Sequence, residues 1–227
     1  MNLINIEKIT KVFAERKIFD QASFFLQEGE KVGIIGINGT GKTTLLKMLA
    51  GMEEPDAGTI TTANHVVIRY LPQHPEFDPE MSSLECVLAG NVSEENRWTI
   101  ESDAKTMMTR LGIRDFEQPA GQLSGGNQQK VIFGKWLERE PQVFMMDEPT
   151  RGIDVGAKVE IYNLMNELKK QGIAVMFVSS EMPEVMGIAD RIIVMCDGRI
   201  TGEVSAREAT QDEILTMATS FENKSIK

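Results

Sequence analysis

Residues 36–44 of this chain read Gly36-Ile37-Asn38-Gly39-Thr40-Gly41-Lys42-Thr43-Thr44. The run matches the phosphate-binding loop pattern, which is a glycine, four further residues and then Gly-Lys-Thr. Residues 31–35 before it are mostly apolar and predict a short buried strand, and residues 43–50 predict a helix that begins directly after the loop. A glycine-rich turn can match the pattern by chance, but the strand before it and the helix after it favour a phosphate-binding loop.

The residue types in this loop suit the chemistry of phosphate binding. Glycines let backbone N–H groups turn toward phosphate oxygens where a Cβ would obstruct them. The start of the next helix adds unpaired N–H groups and the positive end of a dipole. We expect Lys42 to reach the β- and γ-phosphates of a nucleoside triphosphate, and the Thr43 hydroxyl to ligate magnesium. The residues expected to contact the nucleotide here are Gly36, Asn38, Gly39, Gly41, Lys42, Thr43 and Thr44.

The composition is that of an ordinary globular protein. The 227 residues include 41% hydrophobic and 26% charged residues, and the net charge is −10. This charge argues against a generally basic nucleic-acid surface, so we expect no direct nucleic-acid partner. No stretch is long and apolar enough to span a bilayer, and the N-terminus lacks a signal-peptide pattern. We therefore expect a cytoplasmic protein, with Cys86 and Cys196 as buried thiols rather than a disulfide or metal site.

The order of the predicted elements indicates an α/β fold. Strands at residues 2–12 and 18–26 predict an N-terminal antiparallel β subdomain. The continuous apolar strand at residues 173–178 is typical of a mostly parallel, buried core sheet. Residues 76–140 contain prolines and then helical segments, which predicts a helical subdomain inserted into that core. We expect one domain over residues 1–227, of the P-loop NTPase class.

A pair of carboxylates follows one of the apolar strands. Asp147 and Glu148 come directly after residues 142–146, and open α/β sheets bind ligands at the carboxyl ends of their strands. We expect Asp147 to hold magnesium, directly or through water, and Glu148 to polarise the attacking water as a general base. A helix cap is the plainer alternative, but the phosphate loop upstream favours the functional interpretation.

A second glycine-containing stretch runs from Leu123 to Lys130. Ser124, Gly125 and Gly126 lead into a predicted helix, so they present N–H groups and a hydroxyl at a helix start. This is a second anion site, and a single chain does not need two phosphate cradles for one nucleotide.

With these motifs in this order, nearly the whole chain resembles the ATP-binding cassette (ABC) ATPases. The resemblance implies the ABC type of P-loop fold, ATP and Mg²⁺ as cofactors, and ATP hydrolysis. It also implies a nucleotide-dependent head-to-tail pairing, with a second copy or with another cassette. In that pairing the Ser-Gly-Gly helix of one cassette covers the γ-phosphate held by the other. The residues implied at this shared surface are Ser124, Gly125, Gly126, Gln128 and Asp154.

Three further positions follow from the same resemblance. Gln73 is similar to the glutamine that senses magnesium and the attacking water, and Phe13 to the aromatic residue that stacks on adenine. A plain core phenylalanine is the alternative for Phe13. The family usually has a histidine just after the strand equivalent to residues 173–178, where this chain reads Ser179-Ser180-Glu181. We expect Glu181 to replace that histidine and to weaken hydrolysis by repelling the triphosphate, with helix capping as the alternative.

The two halves of the chain resemble different groups within the family. Residues 1 to about 122 resemble the first cassette of the ABC-F group, soluble proteins that act on ribosomes. Residues from about 123 resemble the second cassette of monosaccharide importers. This predicts a recombinant or designed chimera joined near Leu123 to Gly126, with a natural cassette of mixed ancestry as the alternative.

Three functions are therefore considered. The first is an ATP-binding cassette with weak ATPase activity. The second is the nucleotide-binding subunit of a sugar importer, bound to a separate membrane permease at the inner face of the plasma membrane. The third is an ABC-F-like ribosome factor, against which the net charge of −10 argues.

Overall fold

The computed structural model describes residues 1–13, 16–76, 78–137 and 141–220. Nine strands and seven α-helices occur in these residues, in two sheets with helices packed against them. The predicted α/β class is confirmed. The strands are β1 (Asn2–Phe13), β2 (Arg16–Gln27), β3 (Lys31–Gly36), β4 (Ala57–Thr62), β5 (Ile68–Leu71), β6 (Val143–Asp147), β7 (Ala174–Val178), β8 (Arg191–Cys196) and β9 (Arg199–Ser205).

The helix predicted at residues 43–50 is present as α1 (Lys42–Leu49), with its ends shifted by one residue. The other helices are α2 (Ser83–Leu88), α3 (Ile100–Arg110), α4 (Gly125–Leu137), α5 (Val155–Lys170), α6 (Met182–Ile188) and α7 (Gln211–Ala218). None of the helices in the described part of the chain is both long enough and apolar enough to cross a membrane.

The N-terminal strands form the predicted antiparallel sheet, in the order β2-β1-β4. Alternate residues of β1 such as Ile4 and Ile6 are fully buried, and they face a core shared with Phe24 and Leu26 of β2. This period of two arises because successive side chains on a strand point to opposite faces.

The larger sheet has the order β5-β6-β7-β3-β8-β9, and only β9 runs antiparallel to its neighbour. Its inner strands are buried on both faces. Val143 and Met145 of β6 pack into the core that includes β1 and α1, while Phe144 and Met146 pack against α4 and α5. Burial on both faces explains why these strands are continuous apolar runs. The carboxyl ends of β3, β6 and β7 consequently meet at one edge of the sheet.

Helices α2, α3 and α4 enclose a small core of their own, which includes Val87, Met108 and Val131. They lie between β5 and β6 in the chain, where the sequence predicts an inserted helical subdomain. Its limits at residues 76 and 140 stay a prediction, and residue 140 lies outside the described residues. Cys86 and Cys196 are buried free thiols, as expected, and burial raises the pKa of both.

Candidate functional site

The phosphate loop joins β3 to α1 through residues in the left-handed region of backbone conformation. Gly39 has φ of 83° and Gly41, at the N-cap of α1, has φ of 96°. A Cβ added to Gly41 would lie 2.6 Å from the Cγ2 atom of Ile18. Glycine at this position is therefore required both by conformation and by space. Asn38 and Thr43 are exposed beside these glycines.

Lys42 begins α1 and is buried beneath the loop. Its ammonium donates hydrogen bonds to the carbonyl oxygens of Gly36 at 2.7 Å and Ile37 at 3.1 Å. Burial lowers the pKa of Lys42, while the nearby charges of Glu148 and Asp147 act in the opposite direction. The structure thus holds a cation inside the loop, next to two carboxylates.

Asp147 ends β6 and is 1% exposed. The hydroxyl of Tyr70 donates to its Oδ2 at 3.4 Å, and burial together with this carboxylate raises the pKa of Tyr70. The other oxygen, Oδ1, is buried and has no hydrogen-bond partner among the described residues. A buried carboxylate oxygen without a donor is costly unless a cation or water reaches it. This oxygen fits a magnesium ligand.

A cavity of about 250 Å³ brings the predicted residues together. Gln73, Asp147 and Glu148 face the phosphate loop across it. Sequence reasoning missed Ile18, Arg151 and Val178, which carry no motif signal and reach the cavity only through the fold. The lining consists of Ile18, Asn38, Gly39, Gly41, Lys42, Thr43, Thr44, Gln73, Asp147, Glu148, Arg151 and Val178.

Glu148 has an unusual backbone conformation and a specific partner. Its φ is 49°, which few non-glycine residues adopt and which stores about 1 kcal/mol or more of strain. Its N–H donates to the carbonyl oxygen of Val178 at 3.0 Å, so the ends of β6 and β7 are held together. The backbone N–H and the hydroxyl of Ser180 both donate to Oε2 of Glu148, each at 3.1 Å.

The carboxylate of Glu181 has a partner that the sequence did not predict. Ser180, not Glu181, contacts Glu148, and the carboxylate of Glu181 instead pairs with the ammonium of Lys158 at 2.6 Å. Glu181 occupies the N-cap position of α6, but its side chain makes no capping hydrogen bond. The effect of Glu181 on a bound triphosphate stays a prediction, and the capping alternative agrees with its N-cap position but not with a side-chain capping bond. The contact of Ser180 with Glu148 has one signal in the sequence, which is a hydroxyl residue shortly after an apolar strand.

The second glycine-containing stretch lies apart from this cavity. Ser124 and Gly125 are exposed at the start of α4, and the Ser124 hydroxyl oxygen accepts the N–H of Asn127 at 3.3 Å. Gly126 is buried, and a Cβ there would lie 2.5 Å from the Cβ of Ala157. Gln128 donates its side-chain amide to the carbonyl of Ala120 at 3.2 Å.

Asp154 and Phe13 are also outside the described lining of the cavity. Asp154 caps α5, since its Oδ1 accepts the N–H of Ala157 at 3.0 Å. Phe13 ends β1 and is 43% exposed, with the Lys11 ammonium 5.2 Å from its ring centre. It is not a core phenylalanine, and its stacking on adenine stays a prediction.

Comparison with known proteins gives a family and two relatives of similar sequence. A protein-family model described as "ABC transporter" matches residues 19–151. The ribose import ATP-binding protein RbsA of Bacillus subtilis (strain 168) is 41% identical over 224 residues, covering 88% of this chain and 45% of the relative. The xylose import ATP-binding protein XylG of Geobacillus kaustophilus (strain HTA426) is 39% identical over 228 residues, covering 90% and 45%. The chain thus spans about half the length of these relatives.

A solved structure of an ATP-binding cassette has a fold similar to that of this chain. The crystal structure of the ADP conformation of MJ1267, an ATP-binding cassette of an ABC transporter, superposes with a TM-score of 0.84 at 28% identity. It covers 97% of this chain and 96% of that one. The likeness therefore covers nearly the whole length of both chains.

Proposed function

The chain belongs to the ABC transporter family, and on that premise we propose that it is a cassette that binds ATP with Mg²⁺ and hydrolyses ATP. The observation that carries this proposal is the single cavity lined by Lys42, Gln73, Asp147 and Glu148. Phosphoryl transfer to water depends on positioning and charge stabilisation more than on covalent chemistry by the protein. Lys42 supplies a cation and Asp147 a metal ligand. Glu148 supplies a base, and Gln73 a polar group for the attacking water.

The phosphate loop binds the triphosphate. Its N–H groups and those at the start of α1 bind phosphate oxygens, and the Lys42 ammonium exchanges the carbonyls of Gly36 and Ile37 for phosphate. Since the ammonium is already in place among loop carbonyls, little rearrangement is needed when the nucleotide arrives. Thr43, Gln73 and Asp147 would hold Mg²⁺, which neutralises charge on the phosphates.

Glu148 acts as the general base on the attacking water. Ser180 holds its carboxylate at Oε2, and the strained backbone at Glu148 sets its direction. No histidine is among the described residues that line the cavity. We expect slow hydrolysis for that reason, rather than because of Glu181, whose charge Lys158 offsets.

The functional unit is a head-to-tail pair of cassettes, formed with a second copy or with another cassette. Ser124 and Gly125 are exposed and lie outside the described lining of the cavity in their own chain. Their helix start is therefore available to the phosphates bound by a partner.

The chain serves as a nucleotide-binding subunit that energises sugar import through a separate membrane permease. The support is its similarity to RbsA and XylG, which are ribose and xylose import ATP-binding proteins. In this role the chain is cytoplasmic and peripheral at the inner face of the plasma membrane.

The sugar-importer relatives also weigh against the two-part origin. A match that covers 88% of a 227-residue chain must include residues 123–126 wherever it begins. One kind of relative therefore accounts for both sides of the supposed junction, and the comparisons offer no support for a chimera or for an ABC-F-like ribosome factor.

Steady-state phosphate release by the purified chain, with and without Mg²⁺, tests the proposal. We expect Mg²⁺-dependent turnover that is lost in Glu148→Gln while ATP still binds, and Glu167→Gln, an exposed acid-to-amide change on α5, serves as the matched control. Absence of ATP binding by the parent chain would refute the proposal. Co-purification with a permease, as against co-sedimentation with ribosomes, separates the transport role from the ribosomal one.

A further inference from the structure

One buried carboxylate behind the candidate site accepts hydrogen bonds from four side chains. Glu184 lies in α6 and is 8% exposed. Its oxygens accept from the Thr150 hydroxyl at 2.8 and 3.0 Å and from the Ser179 hydroxyl at 2.7 Å. The Lys158 ammonium at 2.8 Å and the Tyr162 hydroxyl at 2.6 Å complete the set.

This cluster is charged and fully satisfied. Burial alone would raise the pKa of Glu184, but the hydrogen bonds from Lys158, Tyr162, Ser179 and Thr150 outweigh it and hold the pKa below its usual value. Hydrogen bonds to Glu181 and Glu184 raise the pKa of Lys158 in turn. Glu184 is therefore a carboxylate that accepts from every neighbour and donates to none.

Two of the four donors lie in the loops that carry Glu148 and its partner Ser180. Thr150 lies in the loop between β6 and α5, two residues beyond Glu148. Ser179 directly follows β7 and precedes Ser180, whose N–H and hydroxyl hold the Glu148 carboxylate. The Ser179 oxygen also accepts the N–H of Glu181 at 3.0 Å, which fixes the turn around Ser180.

Lys158 extends the same network to the residue after Ser180. Its ammonium bridges Glu184 and Glu181 from α5, and this pairing directs the Glu181 carboxylate to α5. Both loops and two helices thus converge on one side chain.

We propose that Glu184 is a positioning residue for hydrolysis, which holds the loops of Thr150 and Ser179 so that Glu148 and Ser180 stay in register. This inference rests on the proposed ATP hydrolysis. Glu184 acts on the base through the loops and not by touching the nucleotide. Buried ion pairs contribute little to stability compared with apolar side chains of similar size, so a role in fixing geometry is the hypothesis that the variants below test. Misplacement of a catalytic group by about 1 Å costs roughly a hundredfold in rate.

The first test is Glu184→Gln. The amide nitrogen cannot accept, so the hydroxyls of Thr150 and Ser179 must reorient or lose a hydrogen bond, and the Lys158 ammonium loses a negatively charged partner. We expect kcat to fall by at least about tenfold while KM and the stoichiometry of ATP binding change by less than about twofold. Glu167→Gln should leave both values unchanged.

A second pair of variants guards against misfolding of Glu184→Gln. Thr150→Val removes the hydroxyl at constant shape, and Thr150→Ser keeps the hydroxyl while losing a methyl group. We expect Thr150→Val to lower kcat and Thr150→Ser to recover most of it. A purely structural role predicts that each variant loses turnover only in proportion to its loss of folded protein, so kcat is compared with the folded fraction measured by urea unfolding.

Combination with Glu148→Gln separates positioning from general damage. If Glu184 acts through Glu148, Glu184→Gln should reduce the residual turnover of Glu148→Gln by less than about twofold. Equal losses in both backgrounds, or an unchanged kcat in Glu184→Gln, overturn the inference. A parent chain that binds but does not hydrolyse ATP refutes the proposed hydrolysis. Amide hydrogen exchange then tests separately whether Glu184 restrains the two loops. Faster exchange in both loops of Glu184→Gln supports the positioning role, and unchanged exchange overturns it.

Discussion

Exchange of Ser180 for histidine is the perturbation that most directly separates the structure from the sequence-based expectation. Ser180 is exposed and contacts the Glu148 carboxylate through its N–H and its hydroxyl, both at 3.1 Å. Glu181, one residue later, is turned to Lys158. A histidine at position 180 keeps the backbone N–H contact and exchanges the weaker hydroxyl donor for an imidazole donor beside the base, whereas Glu181→His places its ring at a residue that does not contact Glu148.

The expected size of the effect follows from these contacts. Removal of one preorganised donor from an active site costs about 2.7–4 kcal/mol, and about half of that is reasonable for a residue exposed to solvent. A gain of about 1.4–2 kcal/mol corresponds to roughly 10- to 30-fold in kcat. Glu181→His breaks a partly exposed ion pair worth about 0–1 kcal/mol of stability and adds no donor at Glu148, so kcat should change by less than about threefold.

The assay is steady-state phosphate release at saturating ATP and Mg²⁺ for the parent and both variants. Lys42→Ala supplies the background rate, and an ATP titration establishes that nucleotide affinity is intact. Equal or lower turnover in Ser180→His with intact affinity would show that a donor beside Glu148 does not limit the rate. Higher turnover in Glu181→His than in Ser180→His would refute the placement of these two residues.

Three further predictions concern binding, pairing and stability. Lys42→Ala should weaken binding of a fluorescent ATP analogue by at least about tenfold, since a charge-assisted phosphate contact is lost; unchanged affinity would contradict the phosphate-loop assignment. Glu148→Gln should sediment as a dimer with ATP and Mg²⁺ but not without nucleotide, and a monomer in both conditions would count against the shared site. For Asp190, burial alone would raise the pKa, but hydrogen bonds from the Lys169 ammonium and the Lys31 N–H keep it below its usual value. Because the pKa of Asp190 is lower in the folded state, its ionised form stabilises the folded protein at pH values above the unfolded pKa of about 3.9. This stabilisation is lost as the pH falls through the folded pKa. Asp190→Asn should therefore unfold at lower urea than the parent near neutral pH, with the difference shrinking below about pH 4, and a constant difference would exclude this carboxylate as the cause.

The features that the sequence predicts well depend on residues that are close to one another along the chain. The phosphate loop needs glycines at fixed spacing and a helix directly afterwards, and the left-handed conformations of Gly39 and Gly41 realise that pattern. The placement of Asp147 and Glu148 depends only on the end of β6, because parallel strands end at a common edge. Contacts between distant segments therefore have little effect on where these residues lie.

The placement of Ser180 and Glu181 depends on contacts between distant segments. Glu148 donates its N–H to Val178, 30 residues away in sequence, and this bond sets which residue of the next turn faces the base. A shift of one residue at the end of a strand reverses the side chains that face a site, and no pattern in Ser179-Ser180-Glu181 specifies that register. The family resemblance indicated Glu181 at this site, and only the fold shows that Ser180 is the residue that contacts Glu148.

The Glu184 cluster carries this reasoning one step further. Thr150 and Glu184 are 34 positions apart, and Lys158 and Tyr162 reach the same carboxylate from a helix between them. Each of these residues read singly is an ordinary polar side chain on a loop or helix, so no motif marks them. Yet a buried carboxylate with four donors tolerates few arrangements, since each donor left unpaired costs about 1–3 kcal/mol. The cluster therefore restrains the two loops beside Glu148 before any nucleotide binds. The base Glu148 is then held in position by these loops before nucleotide binds, as the Lys42 ammonium is held by the carbonyl oxygens of the phosphate loop.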